Sequence, residues 1–284
     1  MLRQRLASAA ILVPVVVAVF LLGVAWIDAF LVLVAALAAW ETMGLLAAAE
    51  YRGFARYGTG WAAAIVLAGA VPWAWRSTVP GSSLDPVLGV LAVGALVAGV
   101  AAFASRDPRE GLAAWIATAF GAGYVGLLAF AARVLADAPS AVPGAALGGL
   151  GGGREWLVVL VAAVWAYDSF AYGFGRAFGR RRFLTHISPS KTYAGLFGGL
   201  LGSVVVSALV MSAIGRLPVE GVVVGIGVGL AAQAGDLAES MLKRAAGAKD
   251  SGHLIPGHGG MLDRLDSFLF AAPVLALYLA LVAR

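Results

Sequence analysis

The chain reads as an all-α, polytopic integral membrane protein with about nine transmembrane helices and a cytoplasmic N-terminus. Three observations predict this. Of 284 residues, 61% are hydrophobic and 12% charged, and the mean hydropathy is +0.92; no soluble fold hides so much apolar surface. Apolar runs long enough to cross a bilayer core, which takes about twenty helical residues, recur from end to end. Lys and Arg are distributed between those runs with a strong bias to one side.

The runs centre on residues 8–26, 29–49, 61–76, 86–104, 111–132, 156–174, 194–214, 218–237 and 265–283. The first follows Arg3 and Arg5 as a secretory signal would. It is too long for one and lacks a clear small-residue cleavage site, so it reads as a retained signal-anchor. The third is the weakest of the nine. With the N-terminus inside, fifteen of the twenty cations face the cytoplasm, and only Arg76, Arg133, Arg154, Arg216 and Arg284 lie opposite. This topology puts two polar loops, about 175–193 and 239–263, where nucleotides and magnesium are abundant. Residues 1–150 then carry about five spans, and residues 151–284 form a C-terminal region holding most of the polar chemistry.

The absence of cysteine excludes disulfides, thiolate nucleophiles and Cys-bound zinc or iron–sulfur clusters. A net charge of +5 alone would suit nucleic acid, but cations flanking apolar spans point to a membrane, and no nucleic-acid partner is expected. The Gly-rich run at 144–153 has no following Lys-Ser/Thr and reads as a connector rather than a phosphate loop. Gly225, Gly227 and Gly229 follow no strand, so close helix packing in lipid is the better reading. The Ala-, Val- and Gly-rich composition suits a bacterial inner membrane.

The chemistry concentrates in residues 240–266. There Lys243, Arg244, Lys249 and Arg264 stand beside Asp250, Asp263 and Asp266, around His253, His258 and a Pro-Gly-His-Gly-Gly turn. Cations bind phosphate, carboxylates bind a divalent metal, and glycines admit an anion to backbone amides. At about 100° per residue, Asp236, Ser240, Lys243 and Arg244 share one face of a helix ending near the inner membrane boundary. Snorkelling explains Lys243 and Arg244 equally well, but not Asp236, since an acid at the end of a span needs a partner or a metal. Asp263 and Asp266, three apart, meet on one side of the next helix, where dipole complementarity is the competing explanation. If those two helices pack antiparallel, all three acids lie at one membrane depth, and hard oxygen ligands of this kind suit magnesium. His258 sits in a turn that cannot be helical, and His253 and His258 across a proline make a poor zinc site.

A second constellation holds Tyr167, Asp168, Ser169, Phe170, Ala171 and Tyr172, then Gly175-Arg176, Arg180, Arg181 and Arg182, then Ser188-Pro189-Ser190-Lys191-Thr192. Asp168 lies roughly 9 Å inside its helix end. An intramembrane acid is a functional candidate, with a helix–helix salt bridge as the alternative. For the arginine run the competing reading is a topology determinant alone, binding anionic lipid headgroups. Ser188 and Lys191 combine a hydroxyl and a cation ahead of a helix N-terminus that can face a phosphate.

Taken together, these residues resemble the phosphatidate cytidylyltransferases (CDP-diglyceride synthetases). The likeness covers roughly the C-terminal 120 residues, in order, with residues 240–266 as the long and varied signature. The resemblance implies the reaction of CTP with phosphatidic acid to give CDP-diacylglycerol and pyrophosphate, in phospholipid biosynthesis. It also implies magnesium, with potassium, as cofactor, a homodimer, and an active site facing the cytoplasm from the bilayer. It makes Asp236, Lys243, Arg244, Asp263 and Arg264 the catalytic set, with Asp236 and Asp263 the leading metal ligands and Asp266 supporting. Ser188, Lys191, Ser240, Lys249, Asp250, His258 and Asp168 become substrate-binding. One departure stands out: members commonly have Ser-Pro-Lys-Lys-Thr-Trp-Glu-Gly where this chain places Ser190 and Ala194 at a cation and an acid. Ala194 therefore carries no role.

Two other classes compete. A cytidylyltransferase for another lipid phosphate would share every feature, because apolar helices say little about the lipid tail. A polytopic transporter would account for the helices and Asp168, but not for so phosphate-adapted a loop. The Asp-x-x-Asp-Gly-x-x-Ala-Arg run of the CDP-alcohol phosphotransferases is absent, since Asp263-Arg264-Leu265-Asp266 is followed by Ser267-Phe268.

Overall fold

The structure, a computed structural model, describes residues 2–71, 85–151, 153–257 and 259–282, and their side chains apart from those of 2–9, 11 and 12. His258, Arg76, Arg284, the part of the third expected span beyond residue 71, and the side chains of Arg3 and Arg5 lie outside that description.

Helices dominate because long apolar stretches are punctuated only by helix-ending and helix-starting residues. In order they are α1 (Leu2–Leu22), α2 (Val24–Ala48), α3 (Ala55–Gly69), α4 (Pro86–Ala102), α5 (Pro108–Gly126), α6 (Ala129–Asp137), α7 (Arg154–Phe178), α8 (Tyr193–Ala213), α9 (Pro218–Ala245) and α10 (Leu262–Leu281). Among the described residues no strand forms, and only the pairs Arg182–Thr192 and Ile255–Gly259 make isolated bridges.

The boundaries have local causes. Asp85 and Asp107 each cap a helix that begins with proline, accepting from Val87 N at 2.9 Å and Arg109 N at 2.8 Å. Thr192 caps α8 by accepting from Gly195 N at 3.1 Å. At the end of α9, Ala248 N bonds Lys243 O and Gly247 N bonds Arg244 O, while Gly247 takes a φ of 65°. That is a Schellman stop, which favours glycine at the left-handed position.

Among the described residues six helices are long and apolar enough to cross a membrane: Val24–Ala48, Pro108–Asp137 (α5 with α6), Arg154–Phe178, Tyr193–Ala213, Pro218–Ala245 and Leu262–Leu281. Of the other three expected spans, α1 has 21 residues, α3 has 15 and begins at Ala55, and α4 has 17. At 1.5 Å per residue α3 and α4 fall short of a full bilayer core when upright.

The chain forms two compact units, Met1–Ala132 with Leu242–Leu265, and Arg133–Met241 with Asp266–Arg284. In the first unit, Ala35, Ala38, Ala39, Thr42, Met43 and Leu46 line the buried face of α2 at helical spacing. Met43 is the meeting point, because Gly58 of α3 and Gly121 of α5 both leave room for its Cε. Trp61 of α3 reaches α4, donating from Nε1 to Val90 O at 3.0 Å against the bare backbone of Gly94.

In the second unit α7 and α8 pack through a small-residue face. Gly198, Gly199 and Gly202 of α8 lie against Phe174, Tyr167 and Phe170 of α7. The glycines of α9 act as expected: a Cβ on Gly225 would lie 2.5 Å from Val204 Cα, and one on Gly227 would lie 2.9 Å from Val274 Cγ1. Residues 144–151 of the connector are non-helical and meet the end of α8, with Leu147 N donating to Ala213 O at 2.9 Å. Trp156, fully buried, donates to Pro139 O at 2.8 Å under the Arg216 guanidinium, 5.6 Å from its ring.

Candidate active site

The signature loop in the first unit is built around one carboxylate. Asp263 stands in the first turn of α10. Its Oδ1 accepts from Lys243 Nζ at 2.7 Å, and its Oδ2 accepts from Ser251 N at 2.9 Å, Ser251 Oγ at 2.9 Å and Gly260 N at 2.8 Å. The loop thus leaves the last turn of α9 and is pulled back onto the first turn of α10 through the Asp263 side chain. The Lys243 and Asp263 side chains are only 15% and 8% exposed, so their pairing is far less screened than a surface ion pair.

Between these anchors Ile255 N donates to Gly259 O at 2.9 Å. Gly259 needs to be glycine for two reasons. Its φ is 83°, and a Cβ there would lie 2.6 Å from Asp263 Oδ2. Around this scaffold Arg244, Lys249, Asp250, His253 and Arg264 are exposed.

Glu41 of α2 is the residue that sequence reasoning missed. Its Oε1 accepts from Met261 N at 3.0 Å, and its Oε2 accepts from Leu262 N at 2.8 Å and Ser251 Oγ at 3.0 Å. The available signal was an acid within an apolar span, where ionisable groups are costly and therefore purposeful.

The second unit holds a separate group of the expected residues. Lys191, at the end of the 179–192 loop, forms an ion pair with Asp236 of α9. Ser188 is buried in the turn before it, with its N–H donating to Leu184 O at 2.9 Å and its carbonyl accepting from Lys191 N at 3.3 Å. Next to Asp236, Gly235 lies so close to α10 that a Cβ would fall 2.2 Å from Asp266 O. Asp266 Oδ1 accepts from its neighbour Ser267 N at 2.7 Å. Ser240 is half-buried on α9, and Asp168 is exposed on α7 beside Tyr167, whose hydroxyl donates to Gln233 Oε1 at 2.8 Å.

Among the described residues no three His, Asp or Glu side chains stand together as a metal cage. Gly235 lets α9 approach the α10 backbone at Asp266, one residue from Asp236.

Residues 3–282 match the cytidylyltransferase family. The chain belongs to that family. It is 38% identical over 214 residues to the phosphatidate cytidylyltransferase of Brucella abortus biovar 1 (strain 9-941), covering 74% of this chain and 73% of that protein. The protein of the same name from Synechocystis sp. is 44% identical over 128 residues, 44% of this chain and 43% of the relative. That from Bacillus subtilis (strain 168) is 39% identical over 132 residues, 45% of this chain and 49% of the relative.

In this cytidylyltransferase-family chain the arginine run at 180–182 pairs by its backbone with the segment that carries Lys191, Arg181 O accepting from Tyr193 N at 3.1 Å and Arg182 bridging to Thr192, while the Arg182 residue is exposed. Arg182→Gln is therefore expected to keep turnover within about two-fold of wild type, as for other solvated surface charges. Initial rates in detergent at fixed lipid check this, and complete loss of activity would refute it.

Proposed function

We propose that this chain is a phosphatidate cytidylyltransferase, converting CTP and phosphatidic acid to CDP-diacylglycerol and pyrophosphate at a membrane surface. The observation that carries the reading is the ordered loop closed on Asp263, with Lys243 held in place and Arg244, Lys249 and Arg264 exposed around it, in a chain of the cytidylyltransferase family.

An oxygen of the lipid phosphate attacks the α-phosphorus of CTP. The bond from that phosphorus to the bridging α–β oxygen breaks, and pyrophosphate leaves with the electron pair. A phosphate monoester is largely dianionic near neutral pH, its second pKa being about 6, so no strong general base is needed. Two polyanions must instead be neutralised and aligned in line. Lys243, Arg244, Lys249 and Arg264 supply positive charge to the phosphates. Lys191, Ser188, Ser240, Asp168, Asp250 and His258 are proposed to contact substrate. Lys191 and Lys243 each rest on an acid, which holds them extended before a ligand arrives.

Magnesium, with potassium, is the proposed cofactor, taking Asp236, Asp263 and Asp266 as carboxylate ligands. When bound, it would offset charge on the triphosphate and the departing pyrophosphate. The proposal also includes nine spans with a cytoplasmic N-terminus, a homodimer, and residence in a bacterial inner membrane with the site facing the cytoplasm.

The test is pyrophosphate release by detergent-purified protein given phosphatidic acid, magnesium and each nucleoside triphosphate in turn. Lipid-dependent release with CTP or dCTP alone is expected. Release with a different lipid phosphate only would redirect the substrate assignment, and release with no lipid or nucleotide would overturn the reaction.

A further inference from the structure

The geometry points to Glu41 as a positioning residue for the reaction: an acid in an N-terminal membrane helix that serves as the template on which the signature loop folds. This rests on the cytidylyltransferase reading for its activity measurements alone. Both carboxylate oxygens of Glu41 turn to the loop, to Ser251 Oγ, Met261 N and Leu262 N, across 210 to 221 residues of sequence.

Each contact has a consequence. Met261 and Leu262 offer N–H groups at the start of α10, donors that a helix cannot satisfy internally. Glu41 supplies the acceptor and places a negative charge at the positive end of the helix dipole. Those two amides are therefore taken, and anion binding passes to the exposed cations beside them. The neighbouring N–H of Arg264 is tied back to Met261 O at 3.0 Å, so the same anchor fixes where Arg264 begins.

Ser251 connects the two acids. Its hydroxyl lies 3.0 Å from Glu41 Oε2 and 2.9 Å from Asp263 Oδ2, and it accepts from Asp263 N at 3.3 Å. One hydroxyl proton serves one carboxylate at a time, so Glu41, Ser251, Asp263 and Lys243 act as a connected unit. The loop backbone has been fitted to the carboxylate: a Cβ on Gly252 would lie 2.6 Å from Glu41 Oε1, and one on Gly260 would lie 2.4 Å from Oε2. A generic buried acid would not require its neighbours to be bare backbone on both sides.

The experiment compares Glu41→Gln, Glu41→Asp and Ser251→Ala with wild type. Glutamine keeps the shape but turns an amide donor toward N–H or hydroxyl donors. We expect kcat/KM for CTP to fall about 100-fold in Glu41→Gln, in the range of losing a positioned polar contact. KM for phosphatidic acid should stay within about two-fold of wild type. Trypsin cleavage after the exposed Lys249 should accelerate at least several-fold. Glu41→Asp, an acid one methylene shorter, should recover part of the CTP parameter. The Glu41→Gln/Ser251→Ala double variant should lose less than the product of the single losses.

Wild-type kcat/KM with wild-type proteolysis in Glu41→Gln, or fully multiplicative losses in the double variant, would overturn the proposal. If Glu41→Gln fails to accumulate, Ser251→Ala with the same proteolysis readout decides it. A wild-type protein that releases no pyrophosphate would sink the reaction, while the proteolysis arm would still report on Glu41.

Discussion

Asp263→Asn is expected to abolish measurable turnover while leaving membrane insertion and helix content unchanged. The carboxylate takes four donors, from Lys243, Ser251 twice and Gly260. An asparagine has one acceptor oxygen and must point an NH2 group at some of those donors. Each donor left without a partner costs about 1–3 kcal/mol, and stranding Lys243 in a largely shielded position costs more, about 3–5 kcal/mol when a buried pair is broken on one side. Insertion survives, because it depends on the apolar spans, which are untouched. The rate should fall at least about 100-fold, comparable to removing a preorganised electrostatic contact. Pyrophosphate release measures the rate and circular dichroism measures the helix content. A wild-type rate would remove Asp263 from the site. Two sub-cases separate by experiment. Faster cleavage after Lys249 marks loss of the loop anchor, whereas recovery of activity at raised magnesium marks loss of a metal ligand.

Gly235→Ala should be the most damaging small change in the second unit. Its Cβ would meet Asp266 O at 2.2 Å, Asp266 C at 3.0 Å and Ser267 Cα at 3.1 Å. Those are backbone atoms of a packed helix and cannot rotate aside, so α9 and α10 must separate locally. Overpacking of this kind costs about 1–3 kcal/mol or more. Because Asp236 is the next residue and Asp266 is the contacted one, activity should fall as well. Gly227→Ala makes a useful contrast, since its Cβ would meet only a methyl group, Val274 Cγ1, at 2.9 Å. A single methyl can give way more easily than backbone, so this variant should lose less stability than Gly235→Ala and keep its rate. Thermal unfolding in detergent and pyrophosphate release on both variants give the comparison. Equal behaviour of the two would show that the α9–α10 contact at Gly235 carries no functional weight.

Much of this protein was legible from residue order alone. The all-helical class followed from composition, because a chain that is 61% hydrophobic satisfies its backbone in lipid by forming helices. Gly225 could be read as a packing glycine, because close helix approach shows in the local composition. The family likeness was also readable, since residues 240–266 are contiguous. Helix length was harder to judge. Apolar composition continues past a helix end: α4 stops at Ala102, inside the expected run of 86–104.

Long-range partners were decided by the tertiary structure alone. Lys191 could not be matched to Asp236, nor Glu41 to Met261 and Leu262, because a carboxylate within a span selects whichever donors the packing brings near. Asp263 was visible as an acid at a helix start, but its hold on Ser251 and Gly260 depends on a loop closing back through space. Sequence periodicity reports which face of a helix is apolar. Only the packed chain determines what that face, and the rare acid on it, will touch.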